Sequence, residues 1–87
     1  MKYKVGDWVY VKYIKGLCES RDGDRIKYLK HKYKLYAGKW HQINRVSEPM
    51  LNHGWYYLER VVGDKGQRPI FLDNYFEDPI TKKLEML

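Results

Sequence analysis

From Val5 to Ile14 the chain alternates. A Gly6-Asp7 turn leads into Trp8-Val9-Tyr10-Val11-Lys12-Tyr13-Ile14, with Val9, Val11 and Tyr13 on one side and Trp8, Tyr10 and Lys12 on the other. A repeat of two is that of a pleated strand, whose successive side chains point to opposite faces. The pattern predicts a first strand that turns Val9, Val11 and Tyr13 towards a core and leaves a half-exposed aromatic face behind it.

Beyond this strand, Lys15-Gly16 opens a long excursion. Leu17-Cys18-Glu19-Ser20 and Arg25-Ile26-Lys27-Tyr28-Leu29 flank Arg21-Asp22-Gly23-Asp24, which predicts a hairpin turning at Asp22-Gly23. Lys30-His31-Lys32-Tyr33-Lys34 alternates weakly, and Lys39 to Val46 reads as a central strand. Within it Ile43 and Val46 are three apart and cannot share a face of a regular strand, so a bulge or the strand's end is expected between them. Ser47 to Gly54, with Pro49, is a connection. Trp55 to Val62 is the next strand, with Tyr56, Leu58 and Val62 inward and Trp55, Tyr57 and Glu59 opposite. Gly63-Asp64-Lys65-Gly66 is a hairpin loop, and Gln67 to Leu72 returns with Pro69 confined to an edge or bulge. Asp73 is placed to cap one helical turn through Glu77, which Asp78-Pro79 ends. Ile80 to Leu87 carries no turn signal and reads as a frayed, disordered tail. Val9, Val11, Ile43 and Leu58 are expected to meet in one core.

Five or six short strands, one long early excursion and a short terminal helical turn make an all-β plan, that of a single small SH3-like barrel over residues 4–78 followed by the tail 79–87. Val5-Gly6-Asp7-Trp8-Val9-Tyr10-Val11, Ala37-Gly38-Lys39-Trp40 through Ile43, Trp55-Tyr56-Tyr57-Leu58-Glu59 and Ile70-Phe71-Leu72 resemble the successive strands of small bacterial and phage SH3-like domains. In particular they resemble the YorP-like family of small prophage-encoded proteins, from about Lys4 to Asp78. The resemblance implies the barrel; it brings no catalytic residues with it.

Composition narrows the class. With 87 residues the chain is one domain, burying roughly 60–65% of its unfolded surface. Nine tyrosines and three tryptophans let so short a chain cover much area from few positions. Seventeen Lys and Arg against eleven Asp and Glu give a net charge of +6, which favours anionic partners. The single Cys18 forms no intramolecular disulfide, so a reducing cytoplasm suits the chain. Met1-Lys2-Tyr3-Lys4 is basic but leads into Val-Gly-Asp rather than an apolar run, and no stretch has the length of a membrane span; neither export by a signal peptide nor a membrane partner is expected.

Chemistry is sparse. His31, His41 and His53 lack metal-ligand spacing, Cys18 has no Cys-x-x-Cys partner, and no flanking motif supports a Cys18–His41 nucleophile pair. Asp22 and Asp24 flank a turn glycine, Asp73, Glu77 and Asp78 have no pocket in the pattern, and Gly63-Asp64-Lys65-Gly66 lacks the sequence of a phosphate loop. A catalytic site, a metal and a cofactor are therefore not expected. One constellation stands out between Arg25 and Arg45. Arg25, Lys27, Lys30, Lys32, Lys34, Lys39 and Arg45 are interleaved there with Tyr28, His31, Tyr33, Tyr36, Trp40 and His41, without an Asp or Glu. Cations that track phosphates beside rings that stack on bases suit single-stranded nucleic acid, with Tyr36 and Trp40 as the stacking candidates. The same pattern is also that of a strand whose rings are core and whose lysines are its solvated face. An alternative site is a peptide groove lined by Tyr10, Tyr13, Trp40 and Tyr75. Its flank is basic, so an acidic protein or peptide fits it better than an arginine-oriented proline motif. The pattern carries no signal for an oligomeric state.

Overall fold

The chain enters its sheet through a turn built around Gly6. The Asp7 amide donates to the Lys4 carbonyl and the Lys4 amide to the Asp7 carboxylate, both at 3.1 Å, with Gly6 at φ +95°. A residue with a Cβ loses about 1 kcal/mol in that left-handed region. The computed structural model describes residues 3–15, 27–47, 54–66 and 68–87, of which 27–31 by backbone alone. The hairpin expected at Asp22-Gly23, Cys18, Arg25, His53 and the connection around Pro49 lie outside the described residues.

Strand β1 (Trp8–Val11) buries Val9 and Val11 and exposes Trp8, as its alternation predicts. It stops two residues early for the expected register. Past Lys12, whose amide donates to the Tyr75 carbonyl (2.9 Å), the chain leaves the sheet, and Tyr13 is 55% exposed rather than inward. Helix α1 (Lys27–Tyr36) occupies the later part of the excursion, where the sequence suggested hairpin and strand. The segment contains no β-branched residue, and it buries Tyr33 and Tyr36. Those two positions fall on one face of a helix and on opposite faces of a strand, so burial of both selects the helix. Gly38, at φ +76°, ends it and donates to the Val11 carbonyl (2.8 Å), returning the chain beside β1.

Strands β2 (Trp40–Ser47), β3 (Trp55–Leu58) and β4 (Phe76–Glu77) complete a four-stranded sheet of order β3-β2-β1-β4, each neighbour antiparallel. Ile43 opposes Leu58 and Arg45 opposes Tyr57, so Asn44 is the extra residue of a bulge. The expected break between Ile43 and Val46 is thus a bulge. β3 ends at Leu58 because a turn follows, in which the Asp64 amide donates to the Val61 carbonyl (3.1 Å); Val62, expected inward, is fully exposed.

On the far side of β3, Phe71 and Tyr56 exchange backbone hydrogen bonds of 2.8 and 2.9 Å, and Pro69 is buried beside this single bridge. A 3-10 turn (Asp73–Tyr75) then carries the chain to β4 at the opposite edge. Asp73 lies inside that turn instead of capping it; the position before it is Leu72. Pro79–Glu85, read from the sequence as a frayed tail, is a second helix, α2, whose start is capped by Asp78 accepting from the Ile80 amide (2.9 Å).

The sheet organises the domain, in keeping with an all-β class, and its core is aromatic. Tyr3, Tyr33, Tyr36, Tyr56, Phe71 and Phe76 pack with Val9, Val11, Ile43 and Leu58 in one cluster. Most ring pairs meet edge to face, while Phe71 and Phe76 are stacked with centroids 6.0 Å apart.

Candidate functional site

The bulge at Asn44 decides where Arg45 points. Two residues after the inward Ile43, a regular strand would turn Arg45 into the core; the extra residue re-aims it to the outer face, opposite Tyr57. Its guanidinium carbon lies 5.5 Å from the Tyr57 ring centroid. Two further arginines reach the same place from the β3–Phe71 hairpin. Arg60 donates through Nη1 to the Asp64 carbonyl and through Nη2 to the Gly66 carbonyl, each at 2.9 Å, which fixes its plane against the loop. Arg68 donates through Nη1 to Asn44 Oδ1 (3.0 Å), so the bulged residue itself holds the third cation.

Asn44, Arg45, Tyr57, Arg60 and Arg68 line an open cavity of about 440 Å³. Among the described residues none of the three guanidinium groups pairs with a carboxylate. Asp64, within the loop, gives Arg60 only its backbone oxygen. Its side chain is fully buried on the other side, where it accepts from the Tyr36 hydroxyl and lies 3.2 Å from Lys32 Nζ. Positive charge without a counter-ion, on donors partly fixed by carbonyls, is an anion-binding arrangement.

The residues singled out by sequence are dispersed. Arg25 is outside the described residues, as are the side chains of Lys27 and Lys30. Lys32 is engaged by Asp64 and by the Lys65 carbonyl (2.6 Å), so it is not a free phosphate contact. Tyr36 is 1% exposed and belongs to the core, which removes it as a stacking surface. Burial, and secondarily the hydrogen bond to Asp64, raises its pKa; burial likewise raises those of Tyr33 and Tyr75. Lys34 and Lys39 are exposed, and Arg45 joins the cavity. His41 is buried, with Nε2 donating to the Tyr36 carbonyl at 2.8 Å, and burial lowers its pKa.

Of the groove residues, Tyr10 and Trp40 do meet, edge to face at 5.6 Å. Helix α2 lies against both: Lys82 Nζ is 4.2 Å from the Tyr10 centroid, Lys83 Nζ is 6.0 Å from that of Trp40, and Trp40 Nε1 donates to Met86 Sδ at 3.2 Å. Tyr75 packs instead on Tyr33 and Phe71, and Tyr13 is exposed. Sequence reasoning missed Asn44, Tyr57, Arg60 and Arg68. The one available signal was the pair of arginines bracketing the Gly63–Gly66 loop, together with the bulge that flips Arg45.

Among the described residues no group of three or more His, Cys, Asp or Glu side chains is placed to hold a metal ion, and no helix is long and apolar enough to cross a membrane. Comparison with protein-family models, with curated proteins and with solved structures gives no match.

Proposed function

We propose that this chain is a non-enzymatic, SH3-like barrel domain that binds single-stranded nucleic acid on the outer face of β2 and β3. The barrel reading draws support from the order β3-β2-β1-β4, from the Phe71 bridge that extends the sheet beyond β3, and from the 3-10 turn that links that bridge to β4 at the other edge. The resemblance to small prophage-encoded SH3-like proteins points the same way for the fold and assigns no activity. A cytoplasmic site of action goes with such a ligand.

The observation that carries the binding reading is the cavity of Arg45, Arg60 and Arg68 beside Tyr57, with no carboxylate paired to any of its cations among the described residues. Guanidinium groups engage phosphate oxygens by paired N–H donors, and their planes, like aromatic rings, accept a stacked base. Sequence-tolerant binding follows, because neither contact reads base identity. The test is a fluorescence-anisotropy titration of a labelled single-stranded DNA across a salt series. Three phosphate contacts give a slope of log K against log salt of about −2. Arg45→Gln should bring the slope nearer to zero by roughly 0.7. Equal affinity for an acidic peptide of matched charge would favour a protein partner instead, since carboxylates also fit guanidinium forks. Absence of binding to DNA and RNA at low salt removes the nucleic-acid reading.

A further inference from the structure

The geometry points to a preference within that site: the three-arginine cavity takes a terminal phosphomonoester rather than an internal phosphodiester of the strand. This inference rests on the nucleic-acid reading above. Arg45, Arg60 and Arg68 line one open cavity of about 440 Å³ together with Asn44 and Tyr57, so three positive charges border a single opening. An internal phosphodiester carries one negative charge and two free oxygens. A terminal monoester carries about −1.5 to −2 at neutral pH and three acceptor oxygens.

The donors match the larger anion. Each guanidinium has five N–H groups. Arg60 uses two of its own on the Asp64 and Gly66 carbonyls, and Arg68 directs Nη1 to Asn44 Oδ1 (3.0 Å) and, at 3.5 Å, to the Leu58 carbonyl. These bonds hold the two groups in place and leave further N–H donors on each. The Arg45 guanidinium makes no hydrogen bond among the described residues and lies over the Tyr57 ring. Its plane is the surface on which the terminal base stacks, next to its own phosphate.

The experiment compares one single-stranded DNA sequence bearing a 5′-phosphate, a 3′-phosphate or hydroxyls at both ends, by fluorescence anisotropy with an internal label. Binding to one phosphorylated end at least tenfold tighter than to the hydroxyl strand is expected. The advantage should shrink as pH falls below about 6, where the monoester loses its second charge. Inorganic phosphate at constant ionic strength should abolish it. Arg45→Gln, a change at an exposed residue with no side-chain hydrogen bond to lose, should weaken binding of all three strands and reduce the advantage while the thermal melt stays unchanged; Arg68→Lys, which keeps the charge but not the fork, should reduce it as well. Equal binding of all three strands overturns the terminal-phosphate inference and leaves the nucleic-acid reading standing. Binding of none overturns both.

Discussion

Asp64 offers the sharpest test of how the domain is held together. It sits in the hairpin loop after β3, where an aspartate beside glycine ordinarily serves the turn, yet its side chain is fully buried. One carboxylate oxygen accepts from the Tyr36 hydroxyl and the other lies 3.2 Å from Lys32 Nζ, so the loop is tied to two successive turns on one face of α1. In Asp64→Ala the Tyr36 hydroxyl is left in the core without its acceptor, a loss of about 1–3 kcal/mol. Lys32 also loses its counter-ion with a side chain only 13% exposed. Removing one partner of a buried pair costs about 3–5 kcal/mol in all, and the hydroxyl term is part of that total because both contacts share one carboxylate. Lys32 keeps the Lys65 carbonyl at 2.6 Å and some access to water, which places the expected loss near 3 kcal/mol on that scale. For a domain of this size the melting temperature falls by about 12–24 °C. Asp64→Asn preserves an acceptor for Tyr36 and should cost roughly half as much, while Tyr36→Phe should cost about 1–2 kcal/mol. Urea denaturation followed by tryptophan fluorescence measures all three, and the Asp64→Ala, Tyr36→Phe cycle should return a coupling of about 1 kcal/mol or more. A loss under about 0.5 kcal/mol for Asp64→Ala, the range of ordinary surface changes, would refute the buried tether.

Leu58→Ala, at a fully buried position opposite Ile43, should destabilise by about 2–5 kcal/mol in the same assay, and a near-zero effect would contradict the register of β3. His41 has a folded pKa lowered by burial, so its favourable contribution is fully present above about pH 6.5 and is lost as pH falls through the folded value. Equilibrium unfolding between pH 7.5 and pH 5 should show that decline, and His41→Gln should flatten it. Deleting residues 79–87 removes a helix with no buried residue, so the fold should survive; the Trp40 indole N–H resonance should nevertheless move, because Met86 is its acceptor. An unmoved resonance would mean that α2 does not rest on Trp40 in solution.

Features that depend on short-range periodicity are legible in the sequence. Val9, Val11, Ile43, Tyr56 and Leu58 alternate with polar or half-exposed neighbours, and that pattern places them inward wherever a sheet forms; the Gly6 turn and the Ile43–Val46 irregularity are equally local. Tertiary structure decided the rest. Lys27–Tyr36 has weak signals for either structure, and only the joint burial of Tyr33 and Tyr36 against Phe71 selects the helix. Tyr13 and Val62 continue their alternation past the last paired residue, where there is no core to face. Asp64 looks like turn chemistry until α1 packs over it. Of the candidate site only Arg45 was legible. Arg60 and Arg68 lie 15 and 23 residues further along and meet it through a bulge and a hairpin return, since side-chain convergence is set by strand pairing and not by distance along the chain.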